Sequence, residues 1–188
     1  MPITTLDPKS ALIIIDLQNG IAASPVVHPA QDIIARSNAL AAAFRARGLP
    51  VVIVRVTKAP GGRTDSGVMD LSQAPAGFSE IVPELDQAAD DIHISKHSFG
   101  AFGTTDLEDQ LRARGVTQVV ITGISTSIGV ESTARHAFDR GFNVTLPIDA
   151  MTDRNAAAHN ASIAHIFPRL AETGTTEELL ALLEGQPG

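Results

Sequence analysis

Four stretches of the chain are nearly unbroken in aliphatic residues: 11–15 (Ala-Leu-Ile-Ile-Ile), 51–56 (Val-Val-Ile-Val-Arg-Val), 119–122 (Val-Val-Ile-Thr) and 143–146 (Asn-Val-Thr-Leu). Such runs, rich in Ile and Val and without polar alternation, predict strands buried on both faces of a parallel sheet. Residues 91–95 (Asp-Ile-His-Ile-Ser) alternate instead and predict a strand nearer an edge. Helical spacing appears between the runs. Ile33, Ile34, Leu40, Ala41 and Phe44 share one face, and Gly48 with Pro50 stops that helix. Thr105 with Glu108 reads as a capping box opening a helix with Leu107 and Leu111 inward and Gly115 as its stop. Thr175 with Glu178 reads as a second box, opening a last helix through Leu183. Helices are also expected over 132–140 and over 154–167, the latter ending at Pro168. Alternating strands and helices predict a doubly wound, Rossmann-like α/β fold with one parallel sheet. Residues 59–76 hold Pro60, Gly61, Gly62, Gly67 and Pro75 and predict a surface excursion or binding loop. The tail 185–188 is expected to fray.

The length of 188 residues suits a single domain over 1–188. A formal net charge of −7 with no run of Lys and Arg disfavours nucleic acid and anionic membranes as partners. Aromatic residues are all Phe, which leaves little for stacking on bases. The longest apolar runs are too short to span a bilayer, and the N-terminus lacks a basic segment ahead of one, so a cytoplasmic protein is expected. The chain contains no cysteine, which excludes disulfides, cysteine-ligated metals and a thiol nucleophile.

In an open parallel sheet, ligands bind beyond the carboxyl ends of the strands. Asp16 ends the first strand. It is either a poorly hydrated carboxyl with a raised pKa, suited to proton transfer, or a turn cap. Lys96 ends the strand at 91–95 and either pairs with Asp16 or holds an anion, or is a solvated surface lysine. Residues 123–130 (Gly-Ile-Ser-Thr-Ser-Ile-Gly-Val) join a strand to a helix and present backbone N–H groups to an oxyanion or carboxylate, unless the serines are only helix caps. The segment is neither a dinucleotide nor a phosphate-loop motif. The histidines form no metal-binding spacing, and no metal or cofactor is expected. Ser127 with His136 is a conceivable nucleophile–base pair, although no nucleophile-elbow motif is present.

Three separated motifs carry a resemblance: Ala11 to Asn19 with Asp16 and Gln18, Ser95 to Phe102 with Lys96, and Gly123 to Arg135. Asp149 to Asp153 adds to them. The sequence resembles the isochorismatase-like hydrolase superfamily, also called cysteine hydrolases, over nearly the whole chain. The resemblance implies a three-layer α/β/α sandwich on a parallel six-stranded sheet in the order 3-2-1-4-5-6. It also implies a homodimer or homotetramer, a small-molecule substrate and a cis peptide at Ile124–Ser125. Asp16 and Lys96 match the first two members of the family's catalytic triad, and the family's cysteine falls on Gly129. Nicotinamidases hold a metal after the second strand, where this chain reads Arg55-Val56-Thr57-Lys58 and offers no match. Isochorismatases likewise carry glycine at the cysteine position and hydrolyse a vinyl ether with the aspartate as general acid. They have an aromatic and a His in the turn where this chain has Ser125 and Ser127. Catalytic roles are thus implied for Asp16, Lys96 and Gly129, and substrate contacts for Gln18, Phe99, Ile124, Ser125, Ser127 and Arg63.

The leading expectation is cleavage of a vinyl ether or similar bond with Asp16 as general acid and Lys96 assisting. The alternatives are an amide or imide hydrolase using activated water or a serine, and a ligand-binding protein without activity.

Overall fold

The first apolar run becomes the centre of the sheet because both of its faces find cover. In the computed structural model, which describes residues 3–67 and 70–185, Ser10–Ile15 forms β1, with β2 (Val51–Val56) on one side and β4 (Gln118–Ile124) on the other. Ala11, Ile13 and Ile15 point into one apolar cluster with Val119 and Ile121, while Leu12 and Ile14 point into a second with Ile53 and Val120. The period-two geometry of a strand therefore needs an aliphatic residue at every position here. Each fully buried aliphatic side chain contributes about 1.5–3 kcal/mol before the entropy of ordering it is subtracted.

The sheet continues with β3 (Ile92–Lys96) beyond β2, and with β5 (Asn143–Pro147) and β7 (Glu172–Gly174) beyond β4. Every pairing between these strands is parallel. The expected edge strand is β3, whose residues alternate buried and exposed. Among the described residues the sheet has seven strands rather than the expected six. A two-residue strand, β6 (Met151–Thr152), pairs with the end of β4, so the last place in the order 3-2-1-4-5-7 falls to the seventh strand in the chain. Two residues carry no periodicity, which is why the sequence does not announce β6.

Among the described residues six α-helices complete the layers: α1 (Asn19–Ala22), α2 (Ala30–Ala46), α3 (Leu107–Ala113), α4 (Glu131–Asp139), α5 (Ala156–Ala161) and α6 (Thr176–Gly185). Helix α2 buries Ile33, Ile34, Leu40, Ala41 and Phe44, the face read from the sequence, and Gly48 takes φ 64° just past its end. The Thr175–Glu178 capping box closes reciprocally: the Thr175 amide donates to Glu178 (2.8 Å) and the Glu178 amide to Thr175 (3.2 Å). The Thr105–Glu108 box does not close. Glu108 accepts from Arg140 instead, and Thr105 caps only the Leu107 amide. The helix expected over 154–167 is shorter. Asn155 caps it at Ala158, a wide turn follows at Ser162–Ile166, and Pro168 lies inside a tight turn at Phe167–Arg169. No helix among the described residues is long and apolar enough to cross a membrane. The excursion carries only a tight turn at Leu71–Gln73; residues 68–69, and 186–188 of the expected frayed tail, lie outside the described residues.

Candidate active site

The carboxyl ends of β1, β3 and β4 converge on one cavity. Asp16 directly follows β1 in the left-handed region (φ 52°), a conformation Asp tolerates better than most residues. Its amide still donates to Val54 (2.9 Å), so the turn starts only after the ladder ends. Lys96 closes β3 and reaches past the end of β2 to Asp16. The Nζ–Oδ2 distance is 2.8 Å, and both side chains are buried. The ammonium also donates to the Phe99 carbonyl (2.8 Å) and the Ser98 carbonyl (3.2 Å), which uses all three of its N–H groups. Asp16 Oδ1 is buried and accepts no hydrogen bond among the described residues. Burial pushes the Asp16 carboxyl up to about 6, against the opposing pull of Lys96 and the Val56 amide.

The third wall is the turn after β4. The Ile124–Ser125 peptide is cis, and the turn Thr126–Val130 follows, its Ile128 and Val130 amides donating to the Ser125 carbonyl. Two buried groups anchor this turn from behind. Asp153 accepts from the Ser127 amide (2.7 Å) and hydroxyl (2.8 Å), and His159 Nδ1 bonds to the Thr126 hydroxyl at 2.8 Å. Burial, and then the neighbouring His28, hold His159 below the usual histidine range. Gly129 sits against the Asp16 carboxyl: a Cβ there would lie 3.2 Å from Asp16 Oδ2 and 2.9 Å from Ile15 Cγ2.

The cavity measures about 340 Å³, and its lining is mostly apolar. Asp16, Lys96, Phe99, Ile124, Ser125 and Gly129 are brought together on it. Pro60, Leu71 and Phe78 supply a wall from the excursion. Three residues singled out in the sequence stand elsewhere. Gln18 is buried and spends its amide on the Val56 N–H (2.8 Å) and on the Val56 and Phe78 carbonyls (3.1 and 3.2 Å). It clamps the wall rather than facing the cavity. Ser127 is committed to Asp153, and Arg63 is exposed on the excursion outside the lining. The Ser127–His136 pair does not form: His136 lies against Gly100, where a Cβ would come within 2.6 Å of its Nδ1. Sequence reasoning missed Ile21, Val56, Ser98 and Arg154 in the lining. Arg154 follows the short β6, and no signal in the sequence marks that strand end. Among the described residues no group of three or more metal-ligating side chains occurs.

Comparison with known proteins accords with this architecture. A family profile for the isochorismatase domain matches residues 10–178. The uncharacterized isochorismatase family protein YecD of Escherichia coli O157:H7 is 43% identical over 187 residues, covering 93% of this chain and 96% of that protein. The isochorismatase of Bacillus subtilis (strain 168) is 30% identical over 192 residues, covering 96% of this chain and 60% of its own length. Among solved structures, an isochorismatase family protein from Burkholderia thailandensis superposes with a TM-score of 0.91 at 40% identity, covering 96% of this chain and 98% of that one. The chain belongs to the isochorismatase family of hydrolases.

Proposed function

We propose that this protein hydrolyses a vinyl ether of a small molecule, with Asp16 as general acid and Lys96 holding it in place. The observation that carries this reading is the Asp16 carboxyl. It lines the cavity, its burial keeps a proton available up to a pH of about 6, and one of its oxygens has no protein partner. Gly129, which the resemblance sets at the position of the family's thiol, offers no thiol beside it. Vinyl ether hydrolysis needs none. Asp16 delivers its proton to the terminal vinyl carbon, and the ether oxygen shares the resulting positive charge as an oxocarbenium ion. Water adds to the ether-bearing carbon of that ion and returns a proton to the Asp16 carboxylate. The hemiketal then breaks its bond to the leaving alcohol, giving a ketone and the alcohol. Lys96 stabilises the carboxylate formed when the proton leaves, and its other bonds, to the Ser98 and Phe99 carbonyls, fix its position.

The test is pyruvate release from 1-carboxyvinyl ethers, isochorismate among them, by the wild type and Asp16→Asn. The wild type is expected to release pyruvate and the variant to lose about 10²–10⁴-fold in rate, the contribution of a positioned general acid. No release from any ether, or full activity in Asp16→Asn, would overturn the reading. Turnover of amides with no acyl-enzyme detected by mass would put activated water in its place.

A further inference from the structure

Two segments flank the Asp16–Lys96 pair. Residues 98–101 hold the ammonium through the Ser98 and Phe99 carbonyls, and the turn at Gly129 lies against the carboxyl. One hydroxyl joins them. Thr133, on the inward face of α4, is wholly buried. Its Oγ1 donates to the Gly129 carbonyl at 2.6 Å and accepts from the Ala101 amide at 3.1 Å. An amide can only donate and a carbonyl only accept, so the single hydroxyl hydrogen is committed to Gly129 and a lone pair to Ala101. Threonines in helices often bond back to the carbonyl four residues earlier. Here the same oxygen also reaches across to a second segment.

Among the described residues this is the one hydrogen bond between residues 97–105 and α4 or the turn before it, and the one made by the Ala101 amide. The backbones meet closely at that point. A Cβ at Gly100 would lie 2.9 Å from the Ser132 carbonyl oxygen and 2.6 Å from His136 Nδ1. His136 Nδ1 is buried and makes no hydrogen bond among the described residues, so it does not fix the register of this contact. The other polar bonds of the loop are internal to it. The His97 amide donates to Thr104 Oγ1 (3.1 Å), Ser98 Oγ to the Gly100 carbonyl (2.9 Å) and Thr105 Oγ1 to the Ala101 carbonyl (2.5 Å). They shape the loop without tying it to the turn.

We propose that Thr133 is a positioning residue for the Asp16–Lys96 pair, its hydroxyl setting the distance between the loop that holds the ammonium and the turn that borders the carboxyl. Phe99 stands two residues before Ala101, so a loop released at Ala101 carries a Lys96 acceptor with it. Lys96 then leaves its place 2.8 Å from Asp16 Oδ2 for part of the time. The meaning of this clip for catalysis rests on reading the Asp16 cavity as the reaction site, but the clip is independent of the bond cleaved.

Thr133→Val keeps the shape and removes the hydroxyl, whereas Thr133→Ser keeps the hydroxyl and removes the methyl. Carbon-13 titration of the Asp16 carboxyl in the full chain compares them without requiring turnover. Looser pairing withdraws a charge that favours the carboxylate. The Thr133→Val midpoint should therefore rise above the wild-type value of about 6, by part of the roughly 1–3 units that a full opposite charge accounts for. Thr133→Ser should stay with the wild type. A merely structural threonine would lower the Tm of Thr133→Val and leave the midpoint where it was. An unmoved or lowered midpoint in Thr133→Val overturns the proposal, and so does a Thr133→Ser midpoint that moves as far. If Thr133→Val does not fold, Thr133→Ala, which leaves room for a water between the two backbone groups, carries the same expectation and the same refutation. Where pyruvate is released, kcat of Thr133→Val should fall by up to about 10²-fold with KM little changed, as a misplacement of about 1 Å can cost. A raised midpoint with no pyruvate from the wild type keeps the clip and removes the ether reaction. Pyruvate released by Thr133→Val at the wild-type kcat, with the midpoint unmoved, keeps the reaction and removes the clip.

Discussion

At the scale of single residues, the site turns on which partner each buried polar atom finds. Lys96 is the only described cation bonded to Asp16, so replacing it with Met leaves desolvation of a buried carboxyl opposed only by the Val56 amide. An opposite charge at this range lowers a carboxyl pKa by about 1–3 units, so Lys96→Met should raise the Asp16 midpoint by at least about one unit. A carbon-13 titration of the Asp16 carboxyl reads this directly, and an unmoved midpoint would remove Lys96 as its tuning group. Gly129 is held small by packing. A methyl there meets Ile15 Cγ2 at 2.9 Å, so Gly129→Ala should lose about 1–3 kcal/mol to crowding and recover at most about 1 kcal/mol from helix propensity. Thermal unfolding should show a Tm lower by a few degrees; a higher Tm would mean Ile15 yields freely. Asp16 was legible because it stands directly after an aliphatic run, and Lys96 because it closes a strand of alternating polar and apolar residues. Gln18 was not, because the backbone groups that satisfy it come from Val56 and Phe78, far away in the chain.

At the scale of elements, one motif had two fates. Thr175 and Glu178 cap α6 reciprocally, since no cation among the described residues pairs with Glu178 at that exposed end. Glu108 has the same spacing from Thr105, but Arg140, at the end of α4, takes its carboxylate at 2.8 Å. Thr175→Ala is therefore expected to cost about 1 kcal/mol. Glu108→Gln should cost less than about 1 kcal/mol, a loss that fades in high salt, since it weakens a part-exposed ion pair rather than a cap. Denaturant midpoints at low and high salt distinguish the two, and a salt-dependent loss in Thr175→Ala would contradict the capping geometry. The long strands were readable from their aliphatic runs. The two-residue β6 and the three-residue β7 were not, because each owes its existence to a neighbouring strand rather than to its own pattern.

At the scale of the whole molecule, the buried carboxyl links the site to folding. Asp16 binds its proton more tightly in the folded chain, at about 6, than at its ordinary value of 3.8. Unfolding therefore releases a proton between those values, and this group's contribution to stability is complete below 3.8 and is lost as pH rises through 6. The stability of wild type relative to Asp16→Asn should fall by roughly 2–3 kcal/mol over that window, which parallel urea melts would read. A constant difference would mean that Asp16 titrates alike in both states. Sequence alone determined the parallel α/β layering, the face of α2 and the placing of Asp16 and Lys96 at strand ends, since these follow from hydrophobic periodicity within short windows. Only the tertiary structure decided that Lys96 spends every donor, that Gln18 and Ser127 brace the walls, that Arg63 stays outside and that Arg154 enters the lining. Those outcomes depend on hydrogen bonds and packing between segments that no local pattern relates.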